Sequence, residues 1–115
     1  MARFENSRVV KALFWAAALF AFVMAVLPHP PSVPANDKAQ HMVAFATLAL
    51  LGSVAYARVS TLRLLVGLSL FGAFIEIVQE VPALHRDSDP LDWLADTVAC
   101  AVVLLAVHWW RGRWR

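Results

Sequence analysis

The chain has 115 residues, 61% of them hydrophobic and only 16% charged. A soluble domain of this size buries only about two-thirds of its surface, so a water-soluble globule and a disordered chain are both excluded and lipid is expected to cover the excess apolar surface. The net charge of +2 comes from short flanks, which gives no basis for nucleic-acid binding, and the single cysteine excludes an intrachain disulfide.

The first apolar stretch runs from Ala12 to Leu27 and is preceded by Arg3, Arg8 and Lys11. Its end, Val26-Leu27-Pro28, lacks a small-x-small cleavage site, and three more apolar stretches follow, so it reads as an uncleaved anchor. The next segment, Pro28-His29-Pro30-Pro31-Ser32-Val33-Pro34, holds four prolines and reads as a stiff extended connector. A second stretch spans Met42 to Ala57, and Asp37 followed by Gln40 resembles a capping box at its start. The link around Arg58-Val59-Ser60-Thr61 is short and Ser60 is placed to cap the third stretch, Leu64 to Val78. Helices two and three are therefore expected to be antiparallel neighbours. The segment Pro82 to Pro90 is the most polar of the chain; Asp89-Pro90 with Asp92 then forms an N-cap, first-position proline and first-turn acid for the last stretch, Leu94 to Trp110. Trp93 marks the outer end of that helix, and Trp109, Trp110 and Trp114 interleave with Arg111, Arg113 and Arg115 at its inner end, as interfacial anchors do. Cys100 sits mid-helix among Val98, Val102 and Leu104 and reads as a buried small hydrophobe. Each stretch is about 16 residues, at the short limit for a spanning helix, which a thin local bilayer or polar helix ends reconcile.

Together these elements predict a single all-α domain over residues 1–115: four transmembrane helices, at about 9–27, 38–57, 61–80 and 90–110, in an up-down bundle. Of the ten basic residues, eight (Arg3, Arg8, Lys11, Arg58, Arg63, Arg111, Arg113 and Arg115) fall at one end and only Lys38 and Arg86 at the other. The positive-inside rule assigns the eight, and both termini, to the cytoplasm, where anionic headgroups are the expected partners. Apart from Glu5, the acids do the reverse: Asp37, Glu76, Glu80, Asp87, Asp89, Asp92 and Asp96 gather at the outer helix ends.

Three polar groups stand at helical spacing there: Asp37 with His41, Glu76 with Gln79 and Glu80, and Asp92 with Asp96. Capping and solvation account for Asp37, Asp87, Asp89 and Asp92 without any function. His41, Glu76 and Asp96 are each about one turn inside an apolar segment, where an unpaired charge costs a few kcal/mol, so they require partners, water or a ligand. A bundle would bring them to one level on three helices. Arg86 and Lys38 complete the set as surface salt-bridge partners or, for Arg86, as a fork for phosphate or carboxylate.

The string Asp37-Lys38-x-x-His41, Glu76-x-x-Gln79, Arg86 and Asp92-x-x-x-Asp96 resembles the VanZ-like family of small bacterial membrane proteins, from Asp37 to about Leu105. Similar proteins usually end the last motif in Asn followed by glycines; here Asp96 and Ala99-Cys100-Ala101 stand in those places, implying less close helix approach along helix four. The resemblance implies a multi-pass protein of the bacterial cytoplasmic (inner) membrane, with Asp37, His41, Glu76, Gln79, Arg86 and Asp92 as signature positions. The family is named for a protein associated with low-level resistance to the glycopeptide teicoplanin, and most members have no assigned activity.

The expected function is therefore that of a VanZ-like envelope protein binding an outer-leaflet lipid headgroup or lipid-linked cell-wall precursor, linked to glycopeptide resistance. Arg86, Lys38 and the outward helix N-termini would supply anion contacts, and the carboxylates would accept from sugar hydroxyls or amines. The alternative is a membrane-embedded enzyme on a lipid-linked substrate, with His41 as base, Asp37 orienting it and Glu76 or Asp96 as acid or metal ligand. One histidine with carboxylates suits a Mg, Mn or Zn ion. No HExxH, placed nucleophile or paired histidine accompanies it. A proton path through Glu76, His41 and Asp96 lacks inner stepping stones beyond Thr47, Ser53, Ser69 and Cys100.

Overall fold

In the computed structural model the chain forms a short 3-10 turn, Ala2–Phe4, and helices α1 (Arg8–Val26), α2 (Asp37–Ala55), α3 (Thr61–Gln79) and α4 (Pro90–Trp114). The structure describes residues 2–27, 37–81 and 90–114, without the side chains of Ala2, Asp37, Lys38, Arg113 and Trp114. The proline-rich connector, Arg86, Asp87 and Asp89 lie outside the described residues, as do the side chains of Asp37 and Lys38.

Local chemistry explains the described helix starts. Ser7 caps α1 by accepting from the amides of Val9 at 3.1 Å and Val10 at 3.5 Å. Ser60 caps α3 as expected, accepting from the Arg63 amide at 3.2 Å. Proline opens α4, with Asp92 in its first turn, where the helix dipole favours an acid. Before α1, Asn6 adopts a left-handed φ of 61°, which Asn tolerates, and its amide donates to the Val54 carbonyl at 2.9 Å, pinning the N-terminal turn to the end of α2.

Cross-helix bonds fix the directions. Trp15, early in α1, donates to Tyr56 just after α2 at 2.7 Å; Arg111 near the end of α4 donates to Ser53 near the end of α2 at 2.7 Å; Gln79 at the end of α3 donates to Ala25 at the end of α1 at 2.9 Å. Successive helices therefore alternate in direction, and α2 runs parallel to α4.

Helices α2 and α3 are antiparallel and in contact, as expected, but theirs is not the main interface. The most extensive pairing is α2 with α4, followed by α1 with α2 and α3 with α4, whereas α2 and α3, joined by the short turn, share a smaller interface. Side-chain size explains this. The buried residues of α2 include the small Ala49 and Ala55 beside Phe45 and Leu48, and α4 offers Cys100 and Leu104, so the two helices pack extensively, while Gly52 faces Phe14 of α1. The run Ala99-Cys100-Ala101, expected to hold α4 further off, lies within this pairing; Cys100 is fully buried and its thiol donates to the Phe45 carbonyl at 3.5 Å. Phe45, Leu48, Ala49, Leu68, Ile75, Cys100 and Leu104 form the core with Ala18 and Ala25 of α1.

The outer surface is as apolar as the core. Leu13, Leu19, Phe20, Leu62, Leu70, Phe74, Ile77, Val98, Val102 and Leu105 are all exposed, far more contiguous apolar surface than water tolerates. Three helices, Arg8–Val26, Thr61–Gln79 and the Pro90–Gly112 part of α4, are long and apolar enough to cross a membrane. At 1.5 Å per residue the first two are about 28 Å long, close to a hydrocarbon core of about 30 Å. The apolar part of α2, Ala39–Ala55, is shorter.

Candidate functional site

Three helices bring their polar residues toward one end of the bundle. On α2 the buried stripe contains Phe45, whose carbonyl meets Cys100 of α4. His41 is one turn before Phe45 and Asp96 one turn before Cys100, so on these parallel helices the two share a level. Asp92 lies one further turn out on the α4 stripe. On α3, Ser69 meets Thr97 at 3.1 Å, and a Cβ built on Gly72 would touch Trp93 and Phe45, so this stripe faces α4 and α2. Glu76 follows Gly72 by one turn on the same stripe. Because α3 is antiparallel to α4, Glu76, seven residues beyond Ser69, stands level with the first turn of α4, near Asp92.

The helix registers thus carry His41, Asp96, Asp92 and Glu76 toward one end of the bundle over two levels, His41 with Asp96 and, about one turn or 5.4 Å further out, Asp92 with Glu76. Sequence spacing alone suggested one. Antiparallel registry between α3 and α4 sets the offset, and the Ser69–Thr97 and Gly72–Trp93 contacts reveal it. Asp96 is the deepest of the set at 6% exposure, while His41, Glu76 and Asp92 are half-buried. Each of the four is already engaged by a hydrogen bond, a charge or a ring contact. A carboxylate at the depth of Asp96 requires such engagement, because desolvating it alone costs several kcal/mol.

Gln79 behaves differently. It is buried and its amide donates to the Ala25 carbonyl at 2.9 Å. That carbonyl belongs to the last turn of α1, which has no intrahelical donor left for it. Gln79 therefore closes α3 onto α1, while its neighbour Glu80 is exposed. Asp37 is the first residue of α2, and its side chain and Arg86 are outside the described residues.

With an imidazole and three carboxylates, the described site is rich in acceptors and suits hydroxyl or amine donors. Among the described residues, no group of three or more His, Cys, Asp or Glu side chains is disposed to hold a metal ion.

Below this site lies a network absent from the sequence reading. Trp93 turns into the bundle and donates its indole N–H to the Ser69 carbonyl at 2.9 Å; Thr97 donates to the Trp93 carbonyl at 2.9 Å and shares a hydrogen bond with Ser69. The i, i+4 spacing of Trp93 and Thr97 was the available signal. Of the inner polar groups, Thr47 donates to Val43 at 2.8 Å and Ser53 to Leu50 at 2.7 Å, both within their own helix.

No protein-family model matches the chain, and neither the curated proteins nor the solved structures contain a match. The resemblance to the VanZ-like family accordingly rests on the residues quoted for it.

Proposed function

We propose that this protein is a VanZ-like component of the bacterial cell envelope, spanning the inner membrane four times with both termini in the cytoplasm. In this reading its acid-lined end binds an outer-leaflet lipid headgroup or lipid-linked cell-wall precursor. What supports the reading is the placement of His41, Glu76, Asp92 and Asp96 on three helices toward the end opposite the eight-cation end, with Asp96 deep in the bundle. A carboxylate as deep as Asp96 in an apolar bundle is costly to keep, and such residues mark ligand or ion sites in spanning proteins. Carboxylates beside an imidazole accept from sugar hydroxyls and amines, the groups exposed on glycolipids and amino-sugar precursors. Asp37, Arg86 and Lys38 would complete the contacts, the basic pair on a phosphate or carboxylate.

Native mass spectrometry of gently extracted protein tests this directly. Wild type should retain a lipid-linked adduct that Glu76→Gln and His41→Ala both lose. Identical adduct profiles in the three proteins would sink the proposal. The link to glycopeptide resistance has its own test: expression should raise teicoplanin tolerance of a susceptible host, and Glu76→Gln should abolish the gain.

A further inference from the structure

At the opposite end, the turn between α2 and α3 and the last turns of α4 enclose a cavity of about 440 Å³, unrelated to the acid-lined site. Such a volume lies within the range of small-molecule sites, about 300–1,000 Å³. Its polar lining carries two guanidinium groups, Arg58 from the turn and Arg111 from α4, together with the His108 imidazole and the hydroxyl residues Ser60 and Thr61. Among the described residues, no carboxylate lines it.

Thr61 and Leu62, also in the lining, open α3, whose first helical bond is Leu64 N–H to Ser60 C=O; Ser60 Oγ takes the Arg63 amide. The remaining first-turn amides thus add the positive end of the α3 dipole to the two guanidinium groups. Arg111 is held in place rather than saturated. One of its terminal nitrogens serves both the Ser53 carbonyl and the Glu5 carboxylate at 2.7 Å, while its buried Nε–H has no acceptor among the described residues. Leu62, Leu64, Leu104 and Val107 form an apolar wall to the same cavity.

We propose that this cavity binds a phosphate-bearing anion, with Arg58 as its mobile clamp and Arg111 and the start of α3 as its fixed floor. A phospholipid headgroup and a free phosphate share this chemistry, and the apolar wall is compatible with the glycerol of the former.

Full-length protein in phosphatidylcholine nanodiscs carrying a minority of phosphatidylglycerol gives the first arm, read as the ratio of the two lipids retained in native mass spectrometry. The second arm uses all-phosphatidylcholine discs and compares thermal unfolding in inorganic phosphate and in chloride at equal ionic strength. Arg58→Gln removes a lining cation, and Arg63→Gln removes an equally exposed arginine that lies outside this cavity. The proposal expects Arg58→Gln to weaken anion retention roughly tenfold, the loss of one charge-assisted hydrogen bond, with Arg63→Gln close to wild type. Selective retention of phosphatidylglycerol identifies a headgroup site, and protection by inorganic phosphate identifies a free-phosphate site. If neither probe separates wild type from Arg58→Gln, or if Arg63→Gln loses as much, the cavity is no anion site.

Discussion

Gln79 illustrates how one side chain is redirected by its surroundings. Its amide satisfies the Ala25 carbonyl at a buried helix end, so Gln79→Leu, nearly isosteric, leaves that carbonyl without its donor. The expected loss is about 1–3 kcal/mol, read as an earlier unfolding midpoint in detergent titrations. Gln79→Glu should be worse, because an ionised carboxylate would face a carbonyl oxygen. Unchanged midpoints for both would mean that the bond contributes nothing and return Gln79 to the ligand-binding set. A glutamine near the end of an apolar helix reads identically in sequence whether it meets a ligand or a neighbouring helix. By contrast, the need of His41, Glu76 and Asp96 for partners was legible one by one, since each stands one turn inside an apolar segment, and each is engaged in the structure.

The helices were legible to within a few residues: residues 9–27, 38–57, 61–80 and 90–110 from the sequence against Arg8–Val26, Asp37–Ala55, Thr61–Gln79 and Pro90–Trp114 in the structure. Which helices pair most extensively was not. In a soluble bundle the apolar stripe points at the core, but here Leu70 and Phe74 face outward as surely as Leu68 and Ile75 face inward, so hydrophobicity carries no direction. Size does carry it, and the glycines of α3 make the point testable. A Cβ on Gly67 meets nothing within 4 Å, at the edge of an apolar cleft of about 520 Å³ between α1 and α3. Gly67→Ala should therefore stabilise the protein by up to about 1 kcal/mol through helix propensity alone. A Cβ on Gly72 meets Trp93 at 3.3 Å and Phe45 at 3.5 Å, where α3 leans on α2 and α4. Gly72→Ala forfeits the propensity gain by displacing Trp93, whose indole is tied to Ser69, and its unfolding midpoint should fall below that of Gly67→Ala. The reverse order would show that the α3 interface is looser than its geometry.

The two ends of the molecule differ in kind, and the difference governs the whole. At the basic end, Arg111 joins three segments: it pairs with Glu5 before α1 and donates to Ser53 near the end of α2 from near the end of α4. With the two side chains only 16% and 23% exposed, the pair is better shielded than a surface bridge. Glu5→Gln should cost about 1 kcal/mol, while Arg111→Gln, which also strands the Ser53 carbonyl, should cost more, about 2–3 kcal/mol, in the same unfolding titrations. The proposed orientation determines which leaflet each proposed ligand comes from. Eight cations at one end against two at the other predict that the C terminus stays with the cytoplasm, so a green fluorescent protein fused there should fluoresce and a fused alkaline phosphatase should be silent. Replacing Arg58 and Arg63 with glutamine should leave that result unchanged, because the flanks of α1 and α4 still carry six cations. An active phosphatase on the wild-type chain would invert the molecule, turning the carboxylate site toward cytoplasmic metabolites and the cationic cavity toward the outer leaflet. Both proposed ligands would then have to be sought in the opposite compartment, while the residues predicted to bind them would stay the same.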